Sequence, residues 1–592
     1  MRDLNASPKM SLRVPLILGV LAVLGASCTS TVEPTTSPPT TTRLTVPSTT
    51  TTTEPVVDFH GGVAVIGLEE EPFTLNPFIA GDQMPLVRLI AQAWTVGVQD
   101  VSGETGELLP EVVTRLPTVD NGGVLVNPDG TMTVTYKIRH DARWADGVPI
   151  TGADFQFTLD TILDPALPIP KGLYGDIVSS VVAEKTFSYT LAVATIQYET
   201  LFDVLLPKHD VGGTNLVAHW NDRTWVSGGP FVLDEWVPGS SITFRRNDAY
   251  WKTDPETRNV LPFLDGLEFR IVSEADEGLN AFRRRLIDVI PVAPGASGTA
   301  LEALGAKVES AGGPVWVHLN FQFGPERLNR NPHTLNEYLA YRQAVMHAID
   351  TQRLTDELFG DRVTPLDSYV SAYNGSLSQA AWSQYGYDPE RARALLTSAD
   401  EERDSDETRR PGDLKVILTV NGSNSDRVRV AELLSEMLAD VGIDVVAVPE
   451  DSLVFFGETV SDGHWDAAAW AWQASPGLAS LVRFHEVFDP GDARGTSNFY
   501  RWGTFDSAIQ SGASLRYGQI LTQMRATVDH NELKGLIREA EQLLADEALF
   551  LPLYAEPITA AYWPQAIEGF VMNATSAGFT WNVEWWREPS AG

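Results

Sequence analysis

Between positions 430 and 448 the chain changes from a helical to a strand pattern across one glycine. Val430, Leu434, Met437 and Val441 recur at i, i+4, i+7 and i+11, which places them on one helix face. Gly442 supplies the residue that ends such a helix, and residues 443–448 read as a buried strand. Helix, glycine and strand make one α/β unit, and the pattern recurs. Phe187, Tyr189, Leu191 and Val193 alternate as a half-buried strand does, as do Leu267, Phe269 and Ile271, and Val315, Val317, Leu319 and Phe321. Helical stripes follow at residues 338–349 and 532–545, the second with Leu533, Leu536, Ile537, Ala540 and Leu544 on one face. An α/β fold is therefore expected, large enough for two or more domains. No repeat of fixed period runs through it.

The first 56 residues follow a different logic. Arg2, Lys9 and Arg13 precede an apolar run over residues 14–25, then small residues and Cys28, the layout of a secretory signal peptide. That run is too short to span a bilayer as a permanent helix. Cys28 is the only cysteine of the 592 residues, so no intramolecular disulfide can form. The stretch Leu24-Gly25-Ala26-Ser27-Cys28 resembles a bacterial lipobox, with Gly25 where leucine or valine is usual. That resemblance implies that residues 1–27 are removed and Cys28 is lipidated, tethering the protein to the outer face of the membrane; without lipidation the protein is secreted. Residues 29–56 are mostly Thr, Ser and Pro, which leaves nothing to bury and predicts an extended tether. The head begins near residue 57.

Charge narrows the partners. The chain carries a formal charge of −35, and removing residues 1–27, with three basic and one acidic side chain, leaves about −37. Nucleic acid is a poor partner for such a surface. The acidic and arginine-rich run 399–412 reads as a solvated loop. No nucleophile elbow, no phosphate loop and no zinc-ligand spacing is found, and the ten histidines are scattered. No catalytic constellation is recognisable, and no enzymatic activity, metal or other cofactor is expected.

One junction is more specific. An alternating strand at 133–138, with Val134, Tyr136 and Ile138 on one face, is followed by Trp144-Ala145-Asp146-Gly147-Val148-Pro149-Ile150-Thr151-Gly152-Ala153-Asp154. Asp146-Gly147 closes a turn, and Thr151 with Asp154 has capping-box spacing before Phe155, Leu159 and Ile162. This segment resembles the signature of the family 5 extracytoplasmic solute-binding proteins, the peptide and nickel receptors of ABC importers. Leu75-Asn76-Pro77, Gly229-Pro230-Phe231, Arg246-Asn247-Asp248-Ala249-Tyr250-Trp251 and the stretch from Tyr341 to Asp350 resemble further motifs of that family, in the same order.

The resemblance implies a type II periplasmic-binding-protein-like fold: two α/β lobes joined at a hinge, plus a small inserted third domain. On this chain the first lobe would be 57–95, 225–315 and 545–592, the insert 96–224 and the second lobe 316–544, with crossings near 315–321 and 545–553. It also implies a monomeric receptor that closes on a peptide or other small solute and delivers it to the permease subunits of an ABC importer. A surface protein of the same fold used for sensing, adhesion or chaperoning is the alternative.

The same resemblance places the ligand. In peptide-binding members a strand ends in Trp-x-x-Asp, whose acid meets the peptide ammonium; here the stretch is Trp472-Gln473-Ala474-Ser475, and the neutral Ser475 cannot pair with a buried ammonium. Trp472, Gln473 and Ser475 would line the cleft, joined by Asn498 and Tyr500 from the second lobe and by Asn76 and Asp82 from the first. Trp470 shares a strand face with Trp472, so spacing alone leaves open which of the two is core.

Overall fold

The computed structural model describes residues 59–272, 274–292, 296–404, 414–491, 498–573, 575 and 578–589. The signal-like segment, Cys28 and the Thr/Ser/Pro tether lie outside the described residues. Among the described residues no helix is long and apolar enough to cross a membrane.

Two long antiparallel strands, Lys307–Phe321 and Phe550–Tyr562, run through the middle of one ten-stranded sheet and belong to both of its halves. Their register runs from Lys307 opposite Tyr562 to Gly312 opposite Pro557, breaks, and resumes at Trp316 opposite Ala555. The break has a local cause. Pro314 has no N–H for the ladder, and at Gly313 an added Cβ would stand 2.6 Å from the Glu556 carbonyl oxygen, so the chains approach only where that residue is glycine.

On one side of this pair lie Val289–Pro291, then Val63–Leu68, Gly266–Ile271, Ser241–Arg246 and, at the edge, Phe231–Val237. On the other lie Ala467–Gln473, Lys415–Asn421 and, at the edge, Asp444–Glu450. Each half carries helices, so the chain forms two α/β lobes joined by two strands that cross between them. A separate four-stranded antiparallel sheet, ordered Val124–Val126, Met132–Lys137, Thr186–Leu191 and Ile177–Ala183, forms the small insert.

Local signals fold as they read. In the insert, Met132, Val134 and Tyr136 are buried on one face of their strand. The Asp146-Gly147 turn is closed by Gly147 N–H donating to the Trp144 carbonyl (2.9 Å), with φ +86° at Gly147. Helix Gly152–Leu163 then starts under a capping box: the Asp154 carboxylate accepts the Thr151 N–H at 2.8 Å, and Thr151 Oγ1 accepts the Ala153 N–H at 3.3 Å. Phe155, Leu159 and Ile162 are buried beneath it. In the second lobe, helix Ser425–Asp440 begins on the Asn424 cap and ends before Gly442, which takes φ +93°.

Three expectations need correction. Residues 399–404, read as the start of a solvated loop, instead close helix Pro389–Asp404, and Ala399 is fully buried. The strand after Gly442 runs Asp444–Glu450 and is not buried: it is the sheet's edge, with only Ile443 before it fully enclosed, because sheet order puts Lys415–Asn421 on the inside. Val193 lies beyond the end of strand Thr186–Leu191 and faces solvent.

Candidate functional site

A cleft of about 1350 Å³ opens between the lobes and the insert. Its second-lobe wall starts from strand Ala467–Gln473, held antiparallel to the crossing strand with Trp472 opposite Trp316 and Trp470 opposite His318. The shared face of Trp470 and Trp472 passes from core to cleft along its length. Trp470 is 3% exposed, packed against Trp465 (5.1 Å between ring centroids), His318 (5.3 Å) and Tyr500 (5.7 Å). Trp472 is only half-buried and lines the cleft, with Phe499 stacked beside it at 6.2 Å and Phe484 edge-on at 6.3 Å. Gln473 and Ser475 follow on the same rim, exposed and facing the cleft. The Ala474 N–H between them donates to the Pro314 carbonyl at 2.6 Å, which ties the rim to the crossing strand beside its register break.

The other expected residues sit one layer back. Tyr500 is fully buried; its hydroxyl donates to Asn320 Oδ1 (2.9 Å) and accepts the Trp472 indole N–H (3.5 Å), so it positions the tryptophan. Asn498 is buried, its amide donating to the carbonyls of Asp489 and Trp502, each at 3.0 Å, which fixes the loop that presents Phe499. Asn76 is likewise buried: its amide donates to the Leu216 carbonyl (2.9 Å) and its Oδ1 accepts the Phe78 N–H (3.0 Å), an Asx turn that presents Pro77 and Phe78 to the cleft. Asp82 lies in the short 3-10 turn Gly81–Gln83, with its side chain outside the described residues. Thus Trp472, Gln473 and Ser475 come together on the wall, whereas Asn76, Asn498 and Tyr500 shape it from behind. Short polar side chains that can bond neighbouring backbone were drawn into the frame.

The opposite wall was not anticipated. Lys252, directly after the Tyr250-Trp251 pair, is held by Glu111 at 2.8 Å and Glu584 at 3.2 Å, with its ammonium 5.8 Å from the Trp251 ring centroid. Burial by itself would lower the Lys252 pKa, but Glu111, Tyr250 and Glu584 outweigh it and hold the lysine well above its usual range. Asp100 joins them from the hairpin strand Gln99–Val101. Burial, reinforced by Glu111 and Glu584 and opposed by Lys252, pushes its carboxyl up to about 7. Burial also raises Glu111 despite its lysine partner. In all, six carboxylates and three basic side chains line the cleft, so its field favours cationic groups. These acids line the same cleft as the neutral Ser475.

The insert also clasps the second lobe directly. From the turn Ile196–Thr200, Gln197 Nε2 donates to the Ala479 carbonyl (2.9 Å), Tyr198 shares a hydrogen bond with His530 (3.3 Å), and Glu199 Oε1 pairs with His530 Nε2 at 2.9 Å. Among the described residues no group of three or more His, Cys, Asp or Glu side chains is placed to hold a metal ion.

Comparison with known proteins agrees with this geometry. Residues 116–483 match the bacterial extracellular solute-binding proteins, family 5 (middle). The chain is 22% identical over 456 residues to the dipeptide-binding protein DppE of Bacillus subtilis (strain 168), covering 71% of this chain and 76% of that one. It is 24% identical over 500 residues to the oligopeptide-binding protein OppA of Mycobacterium tuberculosis, covering 78% of each. Among solved structures, the unliganded open form of the periplasmic murein tripeptide-binding protein MppA superposes with a TM-score of 0.68 at 16% identity, covering 90% of this chain and 98% of that one. The periplasmic EDTA-binding protein EppA does so at 0.64 and 20% identity, covering 90% and 97%.

Proposed function

We propose that this chain, which belongs to the family 5 bacterial extracellular solute-binding proteins, is the receptor of an ABC importer and captures a peptide-like solute between its two lobes. The observation that carries this reading is the cleft itself. It is bounded by both lobes and the insert, walled by Trp472, Phe484 and Phe499 on one side and by charged groups on the other, and among the described residues two strands cross from one lobe to the other. Apolar walls with a few placed polar groups are what a small-solute site requires. Two strands with a register break let the lobes rotate as units.

Ligand bound to both walls stabilises the closed state by its differential affinity, and the closed shape is what a permease can distinguish from the empty receptor. No bond in the solute is made or broken in this scheme. The protein acts outside the cytoplasm, with Cys28 as its lipid anchor and the permease subunits of the importer as partners.

The test has two parts. Small molecules released on denaturing the purified protein are identified by mass spectrometry and returned to the emptied receptor. A true ligand should lower the radius of gyration in solution scattering and raise the melting temperature, since binding adds about 2.7 kcal/mol of stability at a hundred times Kd. A tightly bound ligand that leaves the radius of gyration unchanged refutes the closing receptor.

A further inference from the structure

The insert is tied to the first lobe at several separate places. The Ala145 N–H donates to the Ser227 carbonyl (2.8 Å), Lys252 pairs with Glu111 (2.8 Å), Asn573 Nδ2 donates to the Val101 carbonyl (3.0 Å) and Arg88 pairs with Asp203 (2.9 Å). When the lobes rotate about the crossing strands, the insert therefore travels with the first lobe. Its turn Ile196–Thr200, which holds Ala479 and His530, then has to part from the second lobe.

Both halves of that clasp are formed before they meet. The Tyr198 hydroxyl donates to the Pro117 carbonyl (3.0 Å), so towards His530 the same oxygen accepts, and His530 Nε2 carries the hydrogen shared between Tyr198 and Glu199 Oε1. The turn is pinned from behind: the Gln99 amide donates to the Glu199 carbonyl, and Phe202 is held at φ +62° with its N–H on the Tyr174 hydroxyl (2.6 Å) and its carbonyl on the Val98 N–H (2.8 Å). Across from it, His530 is the first residue of helix His530–Asp546, placed by the Asp529 cap. The fit between them is imperfect. The Glu199 side chain is about nine-tenths buried, with Oε1 on His530 and Oε2 buried without a hydrogen-bond partner. That oxygen makes the closed clasp costly and regains water when the clasp opens, so the contact is one that a lobe rotation can break.

We propose that the turn Ile196–Thr200 is a latch: it parts from Ala479 and His530 when the lobes open, closes on them when solute draws the lobes together, and sets how fast the solute is released. This rests on the lobes closing over solute in the cleft, as proposed above. Every bond of the latch is made by the protein alone, so it adds to the closed state by the same amount whatever solute is bound. Gln197, Glu199 and Ala479 line the cleft but His530 does not, so removing the imidazole weakens the latch and leaves the walls of the cleft in place.

The purified protein, emptied by denaturation and refolded, is equilibrated with an equimolar library of Ala-X-X-Ala tetrapeptides, and the retained peptides are identified by mass spectrometry. Their uptake and their release into peptide-free buffer are timed for the wild type and for His530→Ala. The variant should release every retained peptide about tenfold faster, as loss of a charge-assisted hydrogen bond requires, with uptake rates unchanged. Its melting temperature should match that of the wild type when empty and fall below it when loaded, because the latch exists only in the closed state. If His530→Ala fails to fold, Gln197→Ala, which removes the Ala479 bond and leaves the helix untouched, carries the same readings. An unchanged release rate, or a melting temperature lowered equally in the empty and the loaded protein, makes the clasp a permanent staple and overturns the latch while the receptor stands. Retention of no peptide by the wild type, or retention without a fall in its radius of gyration, refutes the closing peptide receptor and the latch with it.

Discussion

Trp470 and Trp472 stand two residues apart on one face of one strand, and their truncation should fail in opposite ways. Trp470 is 3% exposed and enclosed by Trp465, His318 and Tyr500, all within 5.7 Å of its ring centroid. Trp470→Ala therefore leaves a ring-sized cavity that rigid neighbours cannot fill, at a cost of about 3–5 kcal/mol of stability. Trp472 is half-buried, its aromatic neighbours stand at 6.2 Å or more, and its one indole hydrogen bond is 3.5 Å long. Trp472→Ala should cost the empty protein only about 1–2 kcal/mol. Its larger effect is on ligand: covering about 100 Å² of apolar ring at about 25 cal/mol per Å² is about 2.5 kcal/mol, close to seventy-fold in Kd. Urea denaturation of the empty protein measures the first quantity and calorimetric titration with a peptide that binds the wild type measures the second. If Trp472→Ala destabilises the fold as much as Trp470→Ala and leaves the affinity unchanged, the assignment of one ring to core and the other to cleft is wrong.

Three further outcomes follow from the same structure. Burial, reinforced by Glu111 and Glu584, raises the Asp100 carboxyl to about 7, so between about pH 4 and pH 7 the folded chain holds a proton that the unfolded chain releases and stability falls as pH rises through that range; Asp100→Asn should flatten the dependence in urea titrations between about pH 5 and pH 8, and an unchanged slope in the variant would count against this assignment. His318 and His485 are kept neutral by burial, with pKa values pulled down to about 3, so below about pH 6.5 the unfolded chain binds protons that the folded chain does not; stability contributed by each is present above that pH and is lost on acidification by about 1.4 kcal/mol per unit, and His485→Gln should shrink the loss between pH 7 and 4.5 by about 2–3 kcal/mol in urea titrations. Replacing Cys28 by Ala should move the protein from the membrane fraction to the soluble extracytoplasmic fraction; equal partition of both forms into detergent would refute the anchor.

The sequence by itself determined the parts whose physics is local. The Thr151 and Asp154 cap, the Asp146-Gly147 turn, the Ser425–Asp440 helix and its closing Gly442 each depend on residues within a few positions of one another, so spacing suffices to read them. The α/β class follows from repeating such units, and Trp472, Gln473 and Ser475 were legible on the cleft because they end a strand in a recognisable motif. Tertiary structure decided everything that depends on what comes to lie opposite. Nothing in the alternation of residues 443–448 says that this strand is an edge; the order of strands in the sheet does. Nothing in the spacing separates Trp470 from Trp472; the arrival of Trp465 and Tyr500 does. Asn76, Asn498 and Tyr500 carry side chains suited to a ligand, but bonds to Leu216, Asp489 and Asn320 claim them first. The charged wall is the extreme case. Asp100, Glu111, Glu199, Lys252 and Glu584 are scattered from position 100 to position 584 with no period to link them. Only folding, by drawing the insert, the first lobe and the turn Val583–Trp585 together, makes neighbours of Asp100, Glu111, Lys252 and Glu584, brings Glu199 to the same cleft and gives the site its sign.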